Sequence, residues 1–193
     1  VYDGAASDIQ MAAAADAQRV QKAFAAMARQ GNGIFRSKVV RASDCTKKCF
    51  QAWLKTIRSS PTEGAVFYYA GRGSNVNHQK WPCIEIARHK RLLEAAVAKL
   101  MASRKPGLAM ILFDCYARAI TQADGIDLTR LTGIGVASHG GGPQFKFVSK
   151  GNRRVILGCS GRDVKRTLCS LEAQPVGGIF TTLFLKGWTL KSG

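Results

Sequence analysis

A chain of 193 residues with 46% hydrophobic and 21% charged side chains suits one domain with a continuous core, not a disordered or fibrous segment. No apolar stretch approaches the roughly 20 residues needed to span a bilayer, which excludes a transmembrane helix within this sequence. The charge is unusual: 29 Lys plus Arg against 12 Asp plus Glu, a formal net of +17, predicts a globule that seeks polyanions, RNA or DNA first, through phosphate contacts and counterion release.

In chain order, residues 7–29 read as a helix. Ser7 is its N-cap, Asp8 suits the positive end of the dipole, and Met11, Ala15, Val20, Phe24 and Met27 form a loose apolar stripe. Gly31-Asn32-Gly33 stops it. Residues 34–41 read as a strand around Val39-Val40. Ser43 or Asp44 caps a second helix reaching about Ser59, with Phe50, Trp53, Leu54 and Ile57 on one side. Pro61-Thr62-Glu63-Gly64 is a turn, and residues 65–69 form a strand that is apolar without alternation, as buried parallel strands are.

Residues 71–80 read as a polar loop and 84–103 as one long basic helix. Pro106-Gly107 ends that helix, and 108–113 is a second buried strand. Residues 133–138 read as a strand, and Gly140-Gly141-Gly142-Pro143 as a loop. Residues 144–149 and 153–159 read as two strands joined at a hairpin signal, Lys150-Gly151-Asn152. Residues 163–172 read as a helix, and the apolar run 179–185 fits strand or helix by pattern alone. The alternation predicts an α/β sandwich with a mostly parallel sheet flanked by helices, one domain over residues 1–193.

Six cysteines are present, and only Cys45 and Cys49 stand close, as C-x3-C. With no second pair and no His at finger spacing this is not a zinc pattern. Scattered thiols on apolar segments suit an intracellular, reducing compartment, the mitochondrion among them. Neither Gly71-Arg72-Gly73-Ser74 nor the glycine run at 140–142 has the Walker or Rossmann spacing, so no nucleotide and no other cofactor is expected.

Two runs carry a family resemblance: Ala65-Val66-Phe67-Tyr68-Tyr69-Ala70-Gly71-Arg72-Gly73-Ser74 and Met110-Ile111-Leu112-Phe113-Asp114-Cys115-Tyr116-Ala117-Arg118-Ala119. They resemble the F-Y-Y-S-G-H-G and D-[SC]-C-H-S-G motifs of metacaspases, in the caspase-like cysteine peptidase family. Ala15-Asp16-Ala17 resembles that family's N-D-A segment, and Gly177-Gly178-Ile179-Phe180-Thr181 its G-G-x-F-T run, which is helical there. The resemblance implies a caspase-like three-layer sandwich and a helix over residues 179–185. It also puts Arg72 where the general-base His belongs and Tyr116 where the nucleophilic Cys belongs. A guanidinium stays protonated at neutral pH and a phenol is no thiolate, so a degenerate, non-catalytic member is expected. Cys115 lies one residue off the nucleophile position and points to the opposite face, as a core thiol. His78 and His139 are the imidazoles from which a rearranged dyad would be built, and His89 reads as a surface residue.

The resemblance further implies that Asp16 and Asp114 match acids lining a pocket for a basic side chain. They would hold a guanidinium through charge-assisted bonds, filled in cis by Arg72 or Arg118. The bland alternative makes Asp16 an exposed helix residue and has Asp114 bind loop N–H groups or pair with Arg72. The family opens with a central strand of which only Val1-Tyr2 would match the end. The expectation is a chain processed or trimmed at its start, with the first strand's place filled by another chain or segment.

Three functions follow as expectations. The first is a pseudopeptidase serving as structural subunit of a large assembly with other proteins, a ribonucleoprotein such as an organellar ribosome. RNA would be contacted through phosphates by Lys47, Lys48, Lys55 and Arg58, by Arg88, Lys90, Arg91 and Lys99, and by Arg153, Arg154, Arg162, Lys165 and Arg166. The second is a dead protease that grips basic peptides or regulates an active protease. The third is an Arg/Lys-specific cysteine peptidase using Cys115 with His78 or His139.

Overall fold

The computed structural model describes residues 10–41, 46–57, 59–74, 83–86, 90–116, 118–120, 144–150, 153–159, 168–170 and 177–189. In chain order these form α1 (Gln10–Gln30), α2 (Lys47–Thr56), β1 (Gly64–Ser74), β2 (Cys83–Ile86), β3 (Lys90–Leu93) and α3 (Glu94–Ser103). There follow β4 (Leu108–Tyr116), β5 (Arg118–Ile120), β6 (Gln144–Lys150), β7 (Arg153–Cys159), β8 (Leu168–Ser170), β9 (Gly177–Gly178) and α4 (Ile179–Thr189).

The chain is a mixed α/β structure. One sheet has the order β3-β2-β1-β4-β7-β6, and a small open one the order β5-β8-β9. In the larger sheet β1, β4 and β7 run parallel, whereas β2 and β3 at one edge and β6 at the other pair antiparallel. The expected mostly parallel sheet is therefore parallel only at its centre. The two central strands lack polar alternation because both faces are covered. Phe67, Tyr69, Ile111 and Phe113 face one core with Phe50 and Leu54 of α2 and Val97 and Met101 of α3. Tyr68, Ala70, Met110 and Leu112 face the other with Ala12, Ala13 and Val20 of α1 and Phe180 and Phe184 of α4.

α1 ends as its glycines dictate: Asn32 sits at φ 54°, and the N–H groups of Gly31 and Gly33 reach back to Met27 and Ala28 at 3.0 and 2.7 Å. Its buried face is not the expected stripe. Met11 is exposed, and Ala12, Ala13, Asp16, Ala17 and Val20 are buried. Small alanines let the helix approach the sheet closely, and a paired Asp16 is drawn in with them. The expected Ser7 cap lies outside the described residues. α2 is capped by Thr46, whose Oγ1 accepts from the Cys49 N–H at 3.2 Å, and not by Ser43 or Asp44.

Two further expectations change. Residues 33–40 form no strand: Ile34 and Val39 are exposed, Val40 packs on the core, and Arg41 alone of 34–41 makes a bridge. The in–out alternation is present, but a strand also needs a neighbour for its N–H and C=O groups. The helix expected over 84–103 is a hairpin, β2 with β3, followed by a ten-residue helix. Ile84 and Ile86 stand two apart, the period of a strand, and the helical spacing begins only with Val97 and Met101. Likewise β8 falls inside the helix expected at 163–172, the rest of which lies outside the described residues. The run after Gly177-Gly178 is helical, as the resemblance implied.

Gly73 marks the closest approach of neighbouring strands. A Cβ there would lie 2.6 Å from Cys115 Cβ, 2.9 Å from its Sγ and 3.2 Å from the Cys83 carbonyl, whereas at Gly64 a Cβ meets nothing within 4 Å. Gly73→Ala is expected to lower stability by about 1–3 kcal/mol through overpacking. Gly64→Ala should change it by less than about 1 kcal/mol. Urea unfolding of the two variants checks this; equal midpoints would remove the close approach as a constraint.

Candidate functional site: a buried acid pair under the start of α4

β1 and β4 end together. Their register runs from Gly64 opposite Leu108 to Ala70 opposite Asp114, Gly71 opposite Cys115 and Arg72 opposite Tyr116. The carboxyl ends of parallel strands are where α/β sheets place ligands and reacting groups. The sheet thus brings the backbones of Arg72 and Tyr116 side by side. Gly71, at φ 147°, takes a conformation that strains any L side chain just before Arg72. The Tyr69 hydroxyl lies 2.7 Å from the Arg72 carbonyl and 2.9 Å from that of Glu85, tying the end of β1 to β2. Arg72 is half-buried, and Cys115 is a buried core thiol, as its offset from the motif position predicted.

Asp16 and Asp114 are both buried, so the exposed-helix reading of Asp16 is wrong. α4 has no acidic residue in its own first turn, and its orphan N–H groups are met by these two carboxylates instead. Asp16 Oδ2 accepts from the Gly178 N–H at 2.6 Å, immediately before the helix. Asp114 Oδ2 accepts from the Thr181 N–H at 3.0 Å and the Thr181 hydroxyl at 2.6 Å, in its first turn. The positive end of the helix dipole favours both contacts. The Tyr68 hydroxyl lies 2.6 Å from Thr181 Oγ1. With the Thr181 proton committed to the carboxylate, Tyr68 donates into it. The helix expectation had Asp114 binding loop N–H groups; the N–H it binds is that of a helix start.

The guanidinium that pairs with Asp16 belongs to Arg19, one turn along the same helix, where the expectation named Arg72 or Arg118. Arg19 also donates from both terminal nitrogens to Thr182 Oγ1 at 3.2 Å, and that hydroxyl donates to the Gly178 carbonyl at 3.0 Å. Burial pushes the Asp114 carboxyl well above the ordinary carboxylate range, and the neighbouring Asp16 charge adds to the rise. The two Thr181 bonds and Arg19 pull it partly back. Tyr68 is raised above the ordinary phenol value, first by burial and then by the two carboxylates, so it remains a donor.

The other expected positions disperse. Lys47, Lys48 and Lys55 are exposed on α2 and Lys99 on α3. Lys90 and Arg91 stand on β3, not on a helix, and Arg153 and Arg154 open β7. Arg58, Arg88, Arg162, Lys165 and Arg166 lie outside the described residues, as do His78, His89, His139 and Cys45. Cys49 is exposed, unlike the buried thiols expected. Among the described residues no three His, Cys, Asp or Glu side chains gather to hold a metal ion, and no helix is long and apolar enough to cross a membrane. The sequence reading missed Arg19, Tyr68, Thr181 and Thr182. Asp16 and Arg19 at i, i+3 are a helical pair by spacing. A helix opening at Gly177-Gly178 with no acid of its own signals caps supplied from elsewhere.

Comparison with protein-family models, with curated proteins and with solved structures finds no match for this chain.

The Asp114 environment fixes the sign of a pH effect. Its folded-state pKa is raised, so above pH about 4 the folded chain holds a proton that the unfolded chain releases, and this group's contribution falls as pH rises through the raised value. Asp114→Asn keeps an oxygen for Thr181 and has no charge to desolvate. Its stability relative to the parent should therefore grow from pH 4 to 8 in urea unfolding, whereas Asp114→Ala, which strands the Thr181 N–H, should cost about 1–3 kcal/mol. A stability difference between Asp114→Asn and the parent that is independent of pH would count against a raised pKa.

Proposed function

We propose that the chain is a non-catalytic, caspase-like pseudopeptidase domain that serves as a structural subunit of a large assembly containing other proteins and RNA, of the kind an organellar ribosome represents. The observation that carries the reading is the register of β1 and β4. It sets Arg72 beside Tyr116 at the carboxyl ends of the two central strands, where the resemblance puts the general base and the nucleophile. A side chain that is always protonated cannot accept a proton from a nucleophile, and a phenol with an ordinary pKa of about 10 attacks poorly at neutral pH. Helices on both faces of a sheet that is parallel at its centre are consistent with a caspase-like sandwich.

The RNA part of the reading rests on charge. Lys47, Lys48, Lys55 and Lys99 are exposed on α2 and α3, which pack on the same face of the sheet, in a chain of net charge +17. Such a surface binds phosphate with little base readout. The domain is therefore expected to bind RNA with weak sequence preference and to lose affinity log-linearly with salt. Lys47→Gln, Lys48→Gln and Lys55→Gln together should reduce the magnitude of the slope by roughly 0.7–0.9 for each phosphate contact removed. Filter binding between 50 and 200 mM salt tests this, and a flat salt dependence would sink the RNA assignment. No turnover of fluorogenic Arg or Lys peptides is expected. Selective modification of Cys115 by an arginine-directed thiol probe would overturn the pseudopeptidase reading.

A further inference from the structure

The acid cluster under α4 is under-supplied with donors. Two buried carboxylates, Asp16 and Asp114, share one guanidinium, that of Arg19. Arg19 spends one terminal nitrogen on Asp16 Oδ1 and both on Thr182 Oγ1. Its Nε is buried with no acceptor, and Asp114 Oδ1 is buried with no donor, both among the described residues. A surplus donor and a surplus acceptor thus coexist in one cluster, close enough for the Arg19 charge to act on Asp114. The tether explains the mismatch. Arg19 stands at i+3 from Asp16 on the same helix, so its stem dictates the side from which the fork arrives. Burying the Nε–H and a carboxylate oxygen without partners costs about 1–3 kcal/mol each, more for charged groups.

We infer that Arg19 is a tethered ligand of a guanidinium-accepting site built from α1, β4 and the first turn of α4, and that a free guanidinium takes its place when the tethered one is removed. The chemistry selects that class over an ammonium. The acceptors are two carboxylate oxygens and the Thr182 hydroxyl, a set that a planar cation with a donor fork reaches in one orientation, whereas an ammonium is a point charge with three donors. Entry is open along the path of Arg19 itself, whose side chain keeps 23% of its surface exposed. In the parent chain the site is closed by its own residue, so arginine-bearing peptides do not bind there. The inference rests on the acid cluster alone and stands or falls separately from the roles of Arg72, Tyr116 and RNA.

The experiment is chemical rescue. Arg19→Ala leaves Asp16 buried without its cation and should lower Tm by roughly 10 °C. Millimolar methylguanidinium should restore a large part of that loss with a saturable dose dependence. Methylammonium at equal ionic strength should restore much less, and the parent should respond to neither. Arg19→Lys, which keeps a tethered charge and is less apt to unfold, should lose less stability and gain less from methylguanidinium. Adding Asp16→Asn to Arg19→Ala should abolish the rescue. If Arg19→Ala does not fold, the yield of soluble protein on refolding with each cation gives the same comparison. Absence of rescue, equal rescue by methylammonium, or an equal response of the parent would each overturn the inference.

Discussion

Two carboxylates supply what α4 cannot supply for itself. A helix begins with N–H groups that have no partner within it, and α4 opens after two glycines with no acidic residue in its first turn. Asp16 of α1 and Asp114 of β4 meet those donors from opposite sides of the chain's order. The result is a junction of three elements, with Tyr68 of β1 joined through Thr181. Each carboxylate is costly to bury, and each is tolerable only because helix donors, a hydroxyl and Arg19 surround it. The placement of α1 and α4 on the same face of the sheet follows from this junction as much as from Phe180 and Phe184.

The junction also changes what the acids mean. Read as sequence, two rare acids in a very basic chain resemble the lining of a pocket for a basic side chain. Three of their four oxygens are instead engaged within the fold. A side-chain pattern compatible with binding a cation is equally compatible with capping a helix and holding an internal arginine. Sequence spacing cannot separate the two, because the partners that decide it, Gly178 and Thr181, stand far away in the chain.

The same division runs through the fold. The central strands were legible from the sequence because residues 65–69 and 108–113 are apolar on both faces, a pattern that leaves few alternatives. The hairpin of β6 and β7 was legible from its turn signal. The helix after Gly177-Gly178 was not decidable from periodicity, and only the resemblance favoured it. The stretch 84–103 was misread because scattered Ile and Leu residues were counted without their phase; the two-residue step from Ile84 to Ile86 carried the strand signal. Residues 34–41 have the alternation of a strand, but alternation says nothing about whether a neighbour is there to pair. Of the candidate site, the side-by-side placement of 72 and 116 follows from two strands ending in step. The roles of Arg19, Tyr68 and Thr181 depend on tertiary contacts that no local pattern encodes.

The bond from Gly178 to Asp16 joins residues 162 positions apart. During synthesis α1 emerges long before α4, and until α4 docks the α1 carboxylate has no backbone donor from it. The early part of the chain therefore carries water or its own Arg19 on that carboxylate. Docking of α4 is then a late step in assembly, one that converts a solvated acid into an interior one.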